Sequence, residues 1–449
     1  LFSRPTIAEL YELISEESAD NIALPAITTG DRPDSIPLSF AQERLWFIEQ
    51  LNEGSSLYNI PISLMIRGDL CYQSLQKAID NIVKRHESLR TQIQSKNGSP
   101  YMVIDNDTKI TINLIDISQD EKPSAKLDTI VSQLSSEPFQ LDHAPLANVS
   151  LIKLSPNQHA LVANMHHIIS DGWSVKIFIK ELFSFYNAFV NSQEISPKEL
   201  AVQYPDYAIW QRNWLQGETL ERFIGYWKDK LGDAPQLLRL PTDRPRPVVQ
   251  TTNGHGVLIP VSDELSEKIK QFSVEHQVTT FMTLLTGFNI LLSRYSKQND
   301  ICIGTPTAGR DQTEIEPLIG YFVNSLIIRT ELNSNPTIQE LLHDVKRNTL
   351  EAFEHQHLPL ELILKELDVP RNTSHAPIAQ VGFSMQTFEE SGQKESHENT
   401  PDNPLKVEPI QREQTTAKYD MIFALSEGKK TMSAGVEYNT DLFDQETIE

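Results

Sequence analysis

The sequence predicts an α/β (α+β) protein of two lobes with a cleft between them. Three observations carry this. Short apolar runs of strand period alternate with stretches of helical spacing in both halves of the chain. The halves are alike in length and in their mix of elements, yet no sequence period is visible, so any repeat is one of fold. At 449 residues, with 39% hydrophobic and 22% charged, the chain has room for two or three ordinary domains and the apolar content to fill them.

Residues 5–18 read as one short helix with Ile7, Leu10, Tyr11 and Ile14 on a face, too short to be stable alone. Pro25, Pro33 and Pro37 punctuate an aperiodic linker. The expected division is therefore residues 1–18, a linker over 19–36, a first lobe over 37–204 and a second over 205–449. The chain lacks an initial Met and stops within what reads as the opening of another helix, so it is expected to be a piece of something larger.

In the first lobe, Ser39 is placed to cap a helix carrying Leu45, Trp46, Ile48 and Leu51. Residues 60–67 alternate as a strand, with Ile62, Leu64 and Ile66 on one face. A helix over 70–86 follows (Leu75, Ile79, Ile82, Val83). Lys96-Asn97-Gly98-Ser99, between apolar runs at 89–94 and 101–104, signals a hairpin. A strand over 111–115, a helix over 122–134 and a strand over 149–154 lead to a further strand over 159–165. Val175, Phe178, Ile179, Leu182, Phe183 and Tyr186 then mark an amphipathic helix.

The second lobe opens on an aromatic-rich helix over 204–230, then a loop marked by Pro241, Pro245 and Pro247. Strands are expected over 256–261, 301–305, 322–332 and 379–385, and helices over 263–272, 279–295 and 338–353. Residues 388–413 read as a polar, acidic loop. Residues 421–425 and 432–438 form a closing hairpin across Gly428-Lys429-Lys430.

Composition narrows the function. A net charge of -22 leaves no basic surface to neutralise phosphates, which argues against nucleic acid and against an acidic membrane surface. No apolar run approaches the roughly 20 residues that span a bilayer. Leu1-Phe2-Ser3-Arg4-Pro5 lacks the charged-then-apolar order of a signal peptide. Cys71 and Cys302 stand far apart without a paired motif, which supports neither a disulfide framework nor a Cys-based zinc site and fits a reducing cytoplasm.

Reactive chemistry concentrates in Met165-His166-His167-Ile168-Ile169-Ser170-Asp171-Gly172-Trp173-Ser174, where a strand runs out into a loop before a helix. Adjacent residues of an extended segment face opposite ways, so one metal held by both rings is disfavoured, and no nearby Cys or His completes a set. No metal site is expected. The same geometry divides the labour, with one ring turned into the structure and one toward the cleft. A neutral imidazole takes a proton from a nucleophile near neutral pH, but a histidine at a strand end is also an ordinary satisfied polar group. Asp171 stands at a helix N-cap position. Buried behind the histidines it would instead need a cation, for which Arg310 in Thr305-Pro306-Thr307-Ala308-Gly309-Arg310 is the best candidate. Gly172 and Gly309 would allow tight turns at both places. No nucleophile elbow, P-loop or dinucleotide fingerprint competes.

His166-His167-Ile168-Ile169-Ser170-Asp171-Gly172 matches HHxxxDG and so resembles the condensation domains of nonribosomal peptide synthetases, within the acyltransferases related to chloramphenicol acetyltransferase. Pro37-Leu38-Ser39-Phe40-Ala41-Gln42-Glu43-Arg44-Leu45-Trp46 resembles that family's first motif, and Arg85-His86-Glu87-Ser88-Leu89-Arg90-Thr91 its second. Tyr204-Pro205-Asp206-Tyr207-Ala208-Ile209-Trp210 resembles the fourth; residues 303–310 and 319–325 resemble the fifth. Departures lie later: His355-Gln356-His357-Leu358-Pro359 replaces the usual Asp-Tyr-Pro-Phe pattern, and residues 371–377 follow the last motif loosely. Residues 1–18 resemble the last helix of a carrier protein.

The resemblance implies two chloramphenicol-acetyltransferase-like lobes in a V-shaped pseudo-dimer with a central tunnel. It implies a donor carrier upstream in cis, presenting an acyl or peptidyl thioester, and a downstream acceptor carrier presenting an aminoacyl thioester. Both substrates would ride on 4'-phosphopantetheine arms, so the domain binds no cofactor of its own. The acceptor's α-amine would attack the donor thioester to form an amide. His167 would accept a proton from that amine or orient it, and His166 would be structural. Asp171, paired with Arg310, would hold the loop, and Gly172 would leave room and a backbone N–H near the developing oxyanion. Trp173, Ser174 and Asn324 are candidate tunnel-lining residues. A carrier joined directly to this domain favours an L-configured donor, with a D-configured or polyketide donor as the alternative. An adenylation domain is expected beyond residue 449. His166 argues against cyclising relatives, which carry aspartate there, and Met165 against β-lactam-forming ones, which carry a further histidine. An epimerase and a catalytically silent docking module remain the rivals.

Overall fold

The computed structural model describes residues 24–51, 54–195, 197–333, 335–370, 372–387, 405–410, 415–428 and 431–449; the expected helix over 5–18 lies outside them. In chain order the strands are β1 (Ile36–Pro37), β2 (Asn59–Arg67), β3 (Thr91–Lys96), β4 (Ser99–Ile104), β5 (Asn113–Asp116), β6 (Ala147–Ser155) and β7 (Gln158–His166). The second half adds β8 (Gly254–Ile259), β9 (Asp300–Thr307), β10 (Asn324–Glu331), β11 (Val381–Thr387), β12 (Lys406–Pro409), β13 (Met421–Glu427) and β14 (Met432–Asn439). They form a five-stranded sheet in the order β12-β2-β7-β6-β5, a six-stranded sheet β10-β9-β11-β13-β14-β8, and a small sheet β1-β4-β3.

The five-stranded sheet follows from its pattern. Alternation along β2 buries Ile62, Leu64 and Ile66 in the main core, with helices Tyr72–Arg85 and Gly172–Val190 on that face. The opposite face, with Met65, Ala160 and Val162, is covered by Leu127 and Val131 of helix Pro123–Ser135. β7 is central and covered on both sides, so its run is buried almost throughout. The β3–β4 hairpin closes at Lys96 opposite Ser99, with Asn97 at φ 54° and Gly98 at φ 80°, the positive angles a two-residue turn of this hand requires.

Four differences from the sequence pattern have physical reasons. The helix expected over 204–230 is two, Tyr204–Trp214 and Gly217–Leu231, separated where Gly217 takes φ +56°. A further helix, Leu360–Glu366, follows Pro359. The acidic stretch 388–413 contains β12, which pairs antiparallel with β2 and brings Leu405 and Val407 onto the first core. So a strand from the second half completes the first lobe's sheet. The linker residues 24–37 are strapped down: Ile27 is buried, Arg32 grips both carboxylate oxygens of Asp206 (2.9 and 3.0 Å) and Glu87 (2.6 Å), and Trp210 Nε1 donates to the Pro25 carbonyl (2.9 Å).

The two lobes are also joined through their cores. The first cluster includes Tyr204, Tyr207 and Ala208, together with Ile315, Leu318, Ile319 and Phe322 from beyond β9. The segment 310–322 is thus built into the first lobe's core immediately behind the histidine loop.

Candidate active site

β7 runs between β2 and β6, and its end fixes both histidines. The His166 N–H donates to the Leu146 carbonyl (2.9 Å) and the His167 N–H to the Tyr58 carbonyl (2.8 Å), so consecutive residues are tied to opposite neighbours. The rings separate accordingly. His166 is 1% exposed; its Nδ1 accepts from Ile168 N–H (3.1 Å) and its Nε2 stands 3.5 Å from Glu49. The His167 ring is half-buried and meets Tyr321 edge to face at 4.7 Å, and its buried Nδ1 has no hydrogen-bond partner among the described residues. Gln42 supports the turn that follows them by donating to the Ile168 carbonyl (2.9 Å).

Burial holds His167 well below an ordinary imidazole, down to about 4; the Lys418 cation adds to this, and Asp171 opposes it. The ring is therefore neutral at physiological pH. Since the folded value lies below the unfolded one, stability drawn from this ring is present above about pH 6.5 and is lost as pH falls from there toward 4.

Behind the histidines lies a clasp between the lobes. Asp171, fully buried, accepts from Ser174 N–H (2.8 Å), from Phe322 N–H (3.1 Å) and from Arg310 Nη2 (3.2 Å to Oδ1, 3.4 Å to Oδ2). It is at once the N-cap of helix Gly172–Val190 and the counter-ion of Arg310, two roles that the sequence posed as alternatives. Arg310 also donates through Nη1 to the Ile315 (2.7 Å) and Leu318 (2.8 Å) carbonyls and lies over the Phe322 ring at 4.1 Å. Five donors in a fixed fork suit it to holding a carboxylate and a loop together. Burial lowers the Arg310 value and Asp171 restores part of it.

The other expected site residues divide. Ser174 is fully buried and cannot line a tunnel. Its hydroxyl lies 2.7 Å from Asp171 Oδ1 and 2.9 Å from the Gly320 carbonyl, and accepts from Gly320 N–H and Arg310 Nη2, each at 3.0 Å. It belongs to the clasp because the third helical position faces its own cap. Trp173 is 42% exposed and donates to the Glu316 carbonyl (3.0 Å). Asn324 uses its amide to pin the 356–360 loop, donating to the Gln356 (2.6 Å) and Leu358 (2.9 Å) carbonyls. Gly172 has no positive φ, so the tight turn does not require it; a Cβ there would meet nothing within 4 Å, which leaves open space before the helix end. At Gly309 the requirement is real: φ is +62° and a Cβ would sit 2.1 Å from the Phe322 carbonyl oxygen. Gly309→Ala should lower stability by more than ~1 kcal/mol, measured by thermal unfolding, through strained φ and a displaced Phe322.

Residues unmarked by sequence reasoning surround His167. Arg44 pairs with Glu361 across the lobes (2.6 Å), and Lys418 lies over the Tyr58 ring at 5.1 Å. Tyr321 is pushed up to about 12 by desolvation. Arg44, Tyr58, Tyr321 and Lys418 are reached by water, yet each is desolvated by the protein around it. The Arg44–Glu361 pair, Lys418 over Tyr58 and Tyr321 against His167 place these groups around His167 where the two lobes meet. Among the described residues, no three His, Cys, Asp or Glu side chains gather as a metal-binding group.

With this geometry in view, the comparisons are specific. The family model described as Condensation domain matches residues 33–449. The chain belongs to the condensation domain family. A linear gramicidin synthase polypeptide of Brevibacillus parabrevis is 41% identical over 100% of this chain, and Malpinin synthetase of Mortierella alpina is 37% identical over 100%. This condensation domain spans only 9% and 6% of those relatives' own lengths. Among solved structures, the X-domain from teicoplanin biosynthesis matches with a TM-score of 0.83 at 26% identity, covering 94% of each chain. The first condensation domain of the calcium-dependent antibiotic synthetase matches at 0.71 and 18% identity, covering 92% of this chain and 93% of that one. The α/β (α+β) two-lobed fold expected from the sequence is the one found. No helix among the described residues is long and apolar enough to cross a membrane.

Proposed function

We propose that this condensation domain joins a donor acyl or peptidyl thioester to the α-amine of an acceptor aminoacyl thioester, both carried on the phosphopantetheine arms of carrier proteins. A C–N bond forms, the donor C–S bond breaks, and the amine's proton ends on the departing thiolate. One observation carries the reading: a neutral, water-reached His167 at a strand end, where the two lobes meet. A ring with a value near 4 is a poor base for stripping an ammonium in advance. Its role here is to hold the free amine in line by a hydrogen bond and to receive the proton as nitrogen becomes positive during attack. Aligning two tethered substrates supplies much of the remaining rate. His166, enclosed beside Glu49, acts as a structural support. Asp171, Ser174 and Arg310 fix the loop, and the open space before Gly172 receives the reacting carbonyl.

The donor is L-configured, and an adenylation domain and acceptor carrier follow in the longer protein. Support for the first comes from the carrier-like residues 1–18 joined directly through the strapped linker. Loading the upstream carrier with each enantiomer in turn tests it; faster condensation of the D-donor would reverse the assignment. A recruiting role has one observation in its favour, since a teicoplanin X-domain neighbour at 25% identity was solved in complex with OxyB. The accessible His167 and the complete clasp weigh toward chemistry.

A further inference from the structure

Among the described residues, Arg44 and Lys418 stand near His167 where the lobes meet, and the two cations differ. Arg44 is neutralised by Glu361 at 2.6 Å. Lys418 arrives from the segment preceding β13 and rests on the Tyr58 ring at 5.1 Å. Tyr58 is also the residue whose carbonyl receives the His167 N–H, so the ammonium and the histidine share one neighbour. The Glu437 carboxylate acts on Lys418 through space. The side chain is exposed to water although protein surrounds it. Such a charge projects its field toward His167 rather than losing it to bulk solvent.

We propose that Lys418 is a positioning residue of the condensation step: its ammonium, standing over Tyr58 near His167, holds the space before that ring at positive potential so that the attacking amine is met there as the free base. The inference rests on the amide-forming reading. An α-ammonium entering that space is repelled, whereas the neutral amine, the form with a lone pair to attack, is not. His167 touches the Tyr321 ring and is acted on through space by Lys418, Asp171 and His166; Lys418 lies over Tyr58 and is acted on through space by Glu437 and Arg44. Within this set, Lys418 and Asp171 act on His167 in opposite directions, and the cation also lowers the ring's affinity for a proton.

The test is the pH dependence of single-turnover amide formation, with donor and acceptor carriers preloaded and the full chain carrying Lys418→Met or Lys418→Arg. Methionine keeps the stem and removes the charge. Lys418→Met should move the acid limb up by about one pH unit, leaving the variant roughly tenfold slower on the acid side. It should converge with wild type near pH 9, where the amine is free in any case. Lys418→Arg should restore the wild-type limb. A Lys418→Met profile that overlays the wild type, or that falls by one constant factor at every pH, overturns the inference. Failure of the wild-type chain to form any carrier-bound amide is a different result, which overturns the amide-forming reading itself.

Discussion

His167→Ala should reduce carrier-bound amide formation by about 10²–10⁴-fold while the protein still folds. The ring is half-buried and its Nδ1 has no hydrogen-bond partner among the described residues; the backbone N–H that ties the residue to Tyr58 survives the substitution. Thermal unfolding close to wild type, with product lost, is the expected pair of readings. His166→Ala should behave in the opposite sense. It removes the acceptor for Ile168 N–H and leaves Glu49 facing a void, so stability falls by about 1–3 kcal/mol and activity falls with it. Equal effects of the two substitutions would contradict the division of roles between the rings.

The second large effect lies in the clasp. Asp171→Asn keeps a side-chain oxygen for Ser174 N–H but removes the charge facing Arg310, whose side chain is 1% exposed. An uncompensated buried guanidinium costs about 3–5 kcal/mol. Melting temperature and folding yield should therefore drop together with activity. A normally folded variant with merely slowed chemistry would show that the carboxylate acts in the reaction instead. Combining Asp171→Asn with Arg310→Met should cost less than the sum of the single substitutions, since the pair shares one interaction.

Much of this was readable from residues alone. Alternation at Ile62, Leu64 and Ile66 placed a half-buried strand, and Asn97-Gly98 placed a turn, because both are dictated by local geometry. The strand ends at His166 and a short 3-10 turn begins at His167, so the separation of the two rings expected from strand alternation is found at a strand exit. The Asp171–Arg310 pairing was reachable because a buried carboxylate needs a cation and both residues follow strand exits. β12 was not legible: four residues, Lys406-Val407-Glu408-Pro409, carry too little alternation to stand out from an acidic stretch. Nor was the place of Ser174, expected on the tunnel wall, because its bonds to Gly320 and Arg310 come from residues more than 130 positions away. Lys418 sits in Thr416-Ala417-Lys418-Tyr419-Asp420 with no local mark; only the folding of that segment against Tyr58 sets it before His167. Long-range pairings are decided by topology, and topology is where a single sequence says least.

Amide formation between two carrier-bound substrates, the function proposed for this domain, can be followed directly. The most direct measurement mixes the full chain with a donor-loaded carrier and an acceptor-loaded carrier, stops the reaction within one turnover and weighs both carriers by mass spectrometry. The acceptor carrier should gain the donor's acyl mass while the donor carrier returns to its free thiol. Donor and acceptor both keeping their original masses, with each carrier shown to bind the chain, would contradict it.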